Sequence, residues 1–391
     1  MTAEPSQGFE RANWRGLVAV IASSLIIGVG LGGATPLLSL KMEAWGVPSL
    51  IIGLNAAMGP LGVITGSFLV PRFLRHFSGA ACMAAGILWG GGVLLLFGLT
   101  DDLPAWFALR FLFGLTLALP WVVGEAWINA VATDAVRGRV MAYYATALAG
   151  GFMLGPLVLT VIGSQGLAPF VFIAGTVAIS AGPIWWVRRL APDLRVDHRV
   201  GAFSMIWVAP TIFMTAAVQG ALDGGIFSFL PIYGLRHGLD ENTAALALAA
   251  FMAGNVVLQI PLGLMLDRVN RRLMLLVAAG LMTVLPLLIP VVFGQWWLLM
   301  AVLFVWGGMV WGSYTIALAM MGDRFKTGQI TLANATFIVV MEIANLAGPP
   351  IAGVAIDTAD GQGLIGFFVL FSGVLFTVVA LRGLRRGDLV S

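Results

Sequence analysis

The sequence predicts an all-α membrane protein of twelve transmembrane helices in two similar six-helix bundles. Three observations carry this: a composition too apolar for water, twelve separate apolar runs, and a repeat between the two halves of the chain. Of 391 residues, 60% are hydrophobic and 10% charged, against about 25% charged in soluble domains, and no soluble fold hides that much apolar surface. Glycine (50) and proline (18) follow no fibrous period, and glycine-rich apolar sequence is usual where helices pack closely in lipid. The single cysteine, Cys82, excludes a disulfide or a cysteine-based zinc site and reads as a packing residue.

A membrane-crossing helix needs about 20 apolar residues. The first run, 16–40, follows a polar start and lacks a small-residue cleavage site, so it reads as a retained helix. Lys41 to Pro48 ends it and 50–70 follows; Pro71 to Ser78 introduces 79–100, and Asp101 and Asp102 precede 104–130. The charged stretch Asp134 to Arg139 introduces 140–164, and Gly166 introduces 168–187. A basic linker, 188–204, divides the first half, 1–187, from the second, 205–391. There the runs are 205–233, 242–266, 273–293, 296–320, 330–356 and 364–381.

With both termini in the cytoplasm, 18 of the 21 Lys and Arg lie on the cytoplasmic side, only Lys41 and Arg236 lie outside, and Arg110 falls within a span. That asymmetry sets the orientation. The bases are scattered through short loops, so the net charge of +3 is topological and not a nucleic-acid footprint. Trp14, Trp45, Trp106, Trp185, Trp186, Trp207, Trp296 and Trp297 fall at span ends, where indole rings prefer the headgroup zone.

At an offset of 192, Leu31-Gly32-Gly33 through Trp45-Gly46 matches Asp223-Gly224-Gly225 through His237-Gly238. Gly155-Pro156 in span 5 recurs as Gly348-Pro349 in span 11. Parallel six-span repeats imply a pseudo-two-fold axis along the membrane normal, with a substrate site near the midplane.

Gly263-Leu-Met-Leu-Asp267-Arg268-Val-Asn-Arg271-Arg272 resembles the loop signature G-x-x-x-D-R-x-G-R-R of the major facilitator superfamily, with Asn270 in place of its last glycine. The first-half counterpart keeps Gly66, Arg72 and Arg75 but has Val70 and Pro71 where the acid and first base belong. Arg110-x-x-x-Gly114 and Gly151-x-x-x-Gly155-Pro156 are similar to the family's span-4 and span-5 motifs, the latter without its trailing glycine pair. Glu125-Ala-Trp127 followed by Arg137-Gly-Arg139 is similar to the YcaD-like bacterial branch. The resemblance covers the whole chain. It implies the superfamily's fold, and for Gly263, Asp267, Arg268, Arg271 and Arg272 a conformational latch at the cytoplasmic helix ends when the transporter opens outward.

Polar groups turned toward lipid are costly, so intramembrane polar residues should face protein or water. Spans 3, 6, 9 and 12 hold no charged residue, Asn or Gln and read as outer, lipid-facing helices. In span 7, Thr211, Thr215, Gln219 and Asp223 recur every four residues and so share one face. Span 11 gathers Thr331, Asn334, Glu342 and Asn345 within an arc of about 80°. Span 8 offers Asn255 and Gln259, span 4 aligns Arg110, Gly114, Trp121 and Glu125, and span 10 brings Trp306, Trp311 and Tyr314. Together these faces make an amphiphilic cavity.

Asp223 and Glu342 lie in or near the middle third of the membrane, where an unpaired carboxylate is costly enough to imply function. With Arg110 and Glu125 they are the ion-coupling candidates, although Arg110 fits a structural ion pair and Glu125 a gate contact equally well. Gln219, Asn255, Gln259, Asn334, Asn345, Trp306, Trp311 and Tyr314 are the substrate-cavity candidates; interhelical hydrogen bonding and filling remain the open alternatives. No G-x-x-x-x-G-K-[ST] loop is present, which argues against primary pumping. The three histidines lie in or beside loops, so no metal site and no cofactor is expected. What remains is secondary transport of a small molecule across a bacterial inner membrane. Proton-coupled export stands first, proton-coupled uptake of a metabolite second, and a non-transporting sensor or intramembrane enzyme behind them. The expected partners are substrate, protons and the lipid bilayer, with no nucleic acid, and the expected state is a monomer.

Overall fold

With no water in a bilayer core, a spanning segment must satisfy its own backbone groups, which leaves helices or a closed barrel. The computed structural model is helical throughout its regular elements. It describes residues 5–132, 134–192, 194, 204–266, 268–325 and 327–386, with side chains except at 5–13, 134–138, 327, 328, 331 and 384–386. The first half comprises α1 (Pro5–Ala44), α2 (Ser49–Leu74), α3 (Gly79–Gly98), α4 (Leu103–Val131), α5 (Asp134–Ile162), α6 (Ala168–Ile179) and α7 (Ala181–Trp186). The second comprises α8 (Met205–Val208), α9 (Pro210–Arg236), α10 (Glu241–Met265), α11 (Arg271–Val292), α12 (Trp296–Arg324), α13 (Thr327–Ile356) and α14 (Gln362–Arg386). Among the described residues, twelve helical stretches are long and apolar enough to cross a membrane.

Side-chain caps set several starts. Ser78 accepts from the Ala81 N–H at 3.3 Å, Asp102 from Ala105 at 2.9 Å, and Asp240 from Thr243 at 2.8 Å. Each satisfies a donor that the first helical turn leaves open. The bonds from Thr243 hold the exposed Asp240 carboxyl below the usual carboxylate range.

Span 6 is divided between α6 and α7 at Ser180, whose N–H and hydroxyl both turn back to the Val177 carbonyl, and remains a single membrane-crossing stretch, Ala168–Trp186. Two sequence expectations are corrected. Span 7 starts at Pro210 and not at 205: Ala209 is non-helical (φ −137°, ψ 59°), and Pro210 is suited to a first helical turn but cannot continue α8. Trp106 is no headgroup anchor. It is fully buried, donates Nε1–H to the Thr100 carbonyl at 2.8 Å, and meets Phe97 and Phe170 edge-on. Trp14, Trp185, Trp186, Trp207, Trp296 and Trp297 are exposed, as headgroup anchoring requires.

By contact the chain forms two compact units, Met1–Ala34 with Met58–His198, and Thr35–Ala57 with Arg199–Ser391. The second thus takes in the adjoining ends of α1 and α2. Glycines seat the helix pairs. Gly28 lies on Leu148 and Gly151 between α1 and α5, and Gly220 on Met341 between α9 and α13. Gly62 lies on Phe111 between α2 and α4, and Gly254 on Phe304 between α10 and α12. Gly28 and Gly220, like Gly62 and Gly254, stand 192 residues apart, so the repeat seen in sequence is a repeat of close helix contacts. Large apolar side chains of the expected outer helices face outward, among them Leu88 and Trp89 on α3, Phe172 on α6, Val277 and Val291 on α11, and Leu370 on α14.

Candidate functional site

In the second unit, α9 and α13 meet backbone to backbone. Gly220 lies against Met341 and Asn345, Gly348 against Ala221, and Gly224 against Pro349 and the Asn345 amide oxygen. The partners on α13 advance as α9 advances, so the two helices run parallel and their polar faces share a level. Gln219 Nε2 donates to Asp223 Oδ1 at 3.0 Å, and Asn345 Nδ2 reaches Glu342 Oε2 at 3.5 Å. Asp223 and Glu342 lie within electrostatic range of one another. Both are half-buried, whereas Gln219 is fully buried and its Oε1 has no hydrogen-bond partner. No Lys, Arg or His occurs on α9 before Arg236 or anywhere on α13. Lower on the stripe, Thr215 donates to the Thr211 carbonyl at 3.0 Å; Asn334 is exposed, and the Thr331 side chain lies outside the described residues.

The span-8 pair has a different setting. Gln259 Nε2 donates to Asn255 Oδ1 at 2.9 Å, and Thr315 of α12 donates to Gln259 Oε1 at 2.9 Å. This chain ties α10 to α12, the interhelical role that the sequence left open, and leaves the buried Asn255 Nδ2 without a partner. Trp306, expected on a cavity wall, is corrected to a core residue: it is fully buried between Phe251 and Phe368, with ring centroids at 5.0 and 4.9 Å. Trp311 and Tyr314 are half-buried, 6.0 Å apart, and Tyr314 meets Phe337 of α13 at 5.4 Å. Of the three aromatic residues expected on the cavity, these two keep part of their surface exposed.

In the first unit Arg110 is buried beside Gly59, makes no ion pair among the described residues, and leaves Nη1 without a hydrogen-bond partner. Glu125 Oε1 accepts from Trp121 Nε1 at 3.1 Å, and the buried Tyr144 lies in electrostatic range of Glu125. A cavity of about 20 Å³ lined by Ser23, Ser24, Trp121 and Tyr144 has room for about one water.

Sequence reading missed a third cluster. Arg236, at the end of α9, forks onto Glu43 of α1 (Nε–Oε1 2.7 Å, Nη2–Oε2 2.9 Å). It also reaches Asp357 beyond α13 (Nη1–Oδ1 2.9 Å) and Ser49 at the start of α2 (Nη2–Oγ 2.8 Å). Ser49 itself donates to Asp357 at 2.6 Å. The buried Asn55 on α2, with Nδ2 unpartnered, was missed as well.

Of the latch residues, Asp267 lies outside the described residues. Gly263 stands in open space near the end of α10, and Arg268 is exposed. Arg271 pairs with Asp323 at 2.5 Å and donates to the Ala319 carbonyl at 3.0 Å, tying α11 to the end of α12. Asn270 Oδ1 accepts from the Arg272 and Leu273 N–H groups. The residue that departs from the family's glycine thus serves as the α11 cap.

The Major Facilitator Superfamily model matches residues 20–245 and 212–388. A Bacillus subtilis protein, the uncharacterized MFS-type transporter YfkF, is 25% identical over 359 residues, covering 88% of this chain and 90% of that one. The uncharacterized MFS-type transporter YcaD of Escherichia fergusonii is 20% identical, covering 95% and 97%. Among solved structures, the nucleoside transporter NupG (D323A mutant) superposes with a TM-score of 0.73 at 12% identity, covering 96% and 99%. A D-xylose-proton symporter superposes with 0.70 at 13% identity, covering 94% and 97%. At such identities the superpositions bear on the fold alone.

Proposed function

The chain belongs to the major facilitator superfamily, in its YcaD-like branch, and is a secondary transporter of a small molecule embedded in a membrane; from that premise we propose that it is a proton-coupled exporter of an amphiphilic small molecule. It works as a monomer in a bacterial inner membrane with both termini cytoplasmic, and Asp223 and Glu342 carry the protons. The observation that carries this reading is the acid pair itself. Two carboxylates on touching helices, each bonded to an amide of its own helix, have no base between Pro210 and Leu235 or along α13. Unpaired carboxylates are costly within membrane spans and mark functional sites there, so the pair suits a site that exchanges protons as exposure alternates. Trp311 and Tyr314 add ring surface, which supports an amphiphilic substrate over a purely polar one. Uptake of a metabolite is the second reading, supported by the likeness in fold to a proton symporter.

In this scheme the Arg236 fork holds the α1–α2 connection to the ends of α9 and α13 in one state and releases it in the other. A thermal-shift and counterflow screen on purified protein identifies the substrate. Accumulation of that substrate in everted vesicles, abolished by a protonophore, is the expected result. Accumulation indifferent to the protonophore would exclude proton coupling.

A further inference from the structure

We propose that Arg110 binds an oxyanion of the transported molecule, a carboxylate or a sulfonate, so that the substrate is an amphiphilic organic anion. The proposal rests on the reading of the chain as a transporter of an amphiphile and adds the charge of its polar end. Arg110 on α4 is 5% exposed, leaves Nη1 without a hydrogen-bond partner and has no charged group acting on it among the described residues. A buried guanidinium without a counter-charge is costly, and ionisable groups held inside membrane spans mark substrate or ion pathways. The first unit places no acid to meet it. Among the described residues, Glu125 is the only Asp or Glu in the parts of the spanning stretches that belong to this unit. It stands 15 residues further along α4, about 22 Å at 1.5 Å per residue, and accepts the Trp121 Nε1–H instead. Asp102, before α4 begins, caps that helix by accepting from the Ala105 N–H.

The local fold presents this guanidinium to a ligand. Gly114 follows Arg110 by about one helical turn and is packed onto α2, where an added methyl would overlap the Gly59 carbonyl oxygen. Gly62 is packed in the same way onto Phe111 and Leu115. These contacts seat α4 on α2 and set the Arg110 head beside Gly59. At Gly59 itself the situation is reversed. It is half-buried, and a methyl built there would meet only Arg110 Nε, at 3.7 Å. Glycine therefore keeps open the space beside Nε, and a guanidinium offers its donors in a fixed plane that matches the two oxygens of one carboxylate. A cation would be repelled there and a neutral group would leave the charge unmet, so the arrangement selects an anion. Neither Asp223 nor Glu342 takes part, so the site stands or falls apart from the coupling scheme.

The test is equilibrium dialysis of the purified full chain in a neutral detergent, with no gradient and no flux. The probes are 2-naphthoate, 2-naphthamide and 2-naphthylmethylammonium, which share a ring system and differ in the charge of the head. The wild type should bind the naphthoate at least roughly tenfold more tightly than the amide, and the ammonium most weakly. Arg110→Met should lower the naphthoate affinity to that of the amide and leave the amide's own affinity unchanged. Arg110→Lys keeps the charge without the fork and should keep part of the preference. Removing an unmatched buried charge should not lower the unfolding temperature of the ligand-free protein, whereas removing a structural ion-pair partner would. Arg189→Gln, an exposed arginine of the same unit, should change nothing. A wild type that takes the naphthoate no better than the amide, or an Arg110→Met variant that keeps the preference, would overturn the proposal. A fall in unfolding temperature with all three probes weakened alike would do so too, by making Arg110 structural. An anion preference lost with Arg110, alongside accumulation in everted vesicles that a protonophore leaves unchanged, would uphold the site and refute only the proton coupling.

Discussion

Replacing Arg236 tests whether the fork is a releasable clasp. Arg236→Gln removes four hydrogen bonds of 2.7 to 2.9 Å and leaves Glu43 and Asp357 facing each other across Ser49. Hydrogen bonds to charged groups contribute about 1.5–3 kcal/mol each when well buried. Here the side chains of Arg236, Glu43 and Asp357 are 30%, 21% and 47% exposed, so solvent screening reduces the whole fork to about 2 kcal/mol. That corresponds to a roughly 30-fold rise in the population with the clasp open. The reporter is a cysteine at Ile52, which is 1% exposed on α2 beside the contact of Gly53 with Pro349. Cys82 is replaced by Ala to silence the background. Maleimide labelling should be roughly 30-fold faster in Arg236→Gln and intermediate in Arg236→Lys, whose ammonium cannot fork. Added salt should speed labelling of the wild type more than of the Gln variant. Labelling of Arg236→Gln at the wild-type rate would refute the clasp.

Three other expectations concern packing and topology. Gly220→Ala and Gly254→Ala drive a methyl into backbone carbonyls of the facing helix and should each cost about 1–3 kcal/mol in thermal unfolding; Gly92→Ala and Gly175→Ala, with open space beside them, should not destabilise. Trp306→Ala should cost about 3–5 kcal/mol in the same assay, whereas Trp311→Ala should leave stability nearly unchanged and lower transport. Reporter fusions at Ser391 and Asp102 should give cytoplasmic and periplasmic signals respectively; a cytoplasmic signal at Asp102 would contradict the twelve-span topology.

What was legible in the sequence was what repeats locally. The spans follow from runs of apolar residues, and the α9 stripe from a four-residue spacing that matches the helical period. Asp223 and Glu342 stood out because isolated acids within apolar helices are rare. The Arg236 fork was hidden because its partners lie 193, 187 and 121 residues away, beyond any local pattern. Trp106 misled because a tryptophan at a span end reads as an anchor until the Thr100 carbonyl is seen turning it inward. Trp306 could not be told from Trp311 by composition, since only the neighbouring Phe251 and Phe368 separate core from cavity wall.

The central claim, that Asp223 and Glu342 couple transport to protons, is tested most directly with the Asp223→Asn, Glu342→Gln double variant in proteoliposomes. Two fluxes of the screened substrate are compared: exchange at equal pH and accumulation driven by a pH gradient. Exchange needs the site but no net proton movement, so it should persist while gradient-driven accumulation falls to background. Full gradient-driven accumulation by the double variant would show that both carboxylates are structural and contradict the claim.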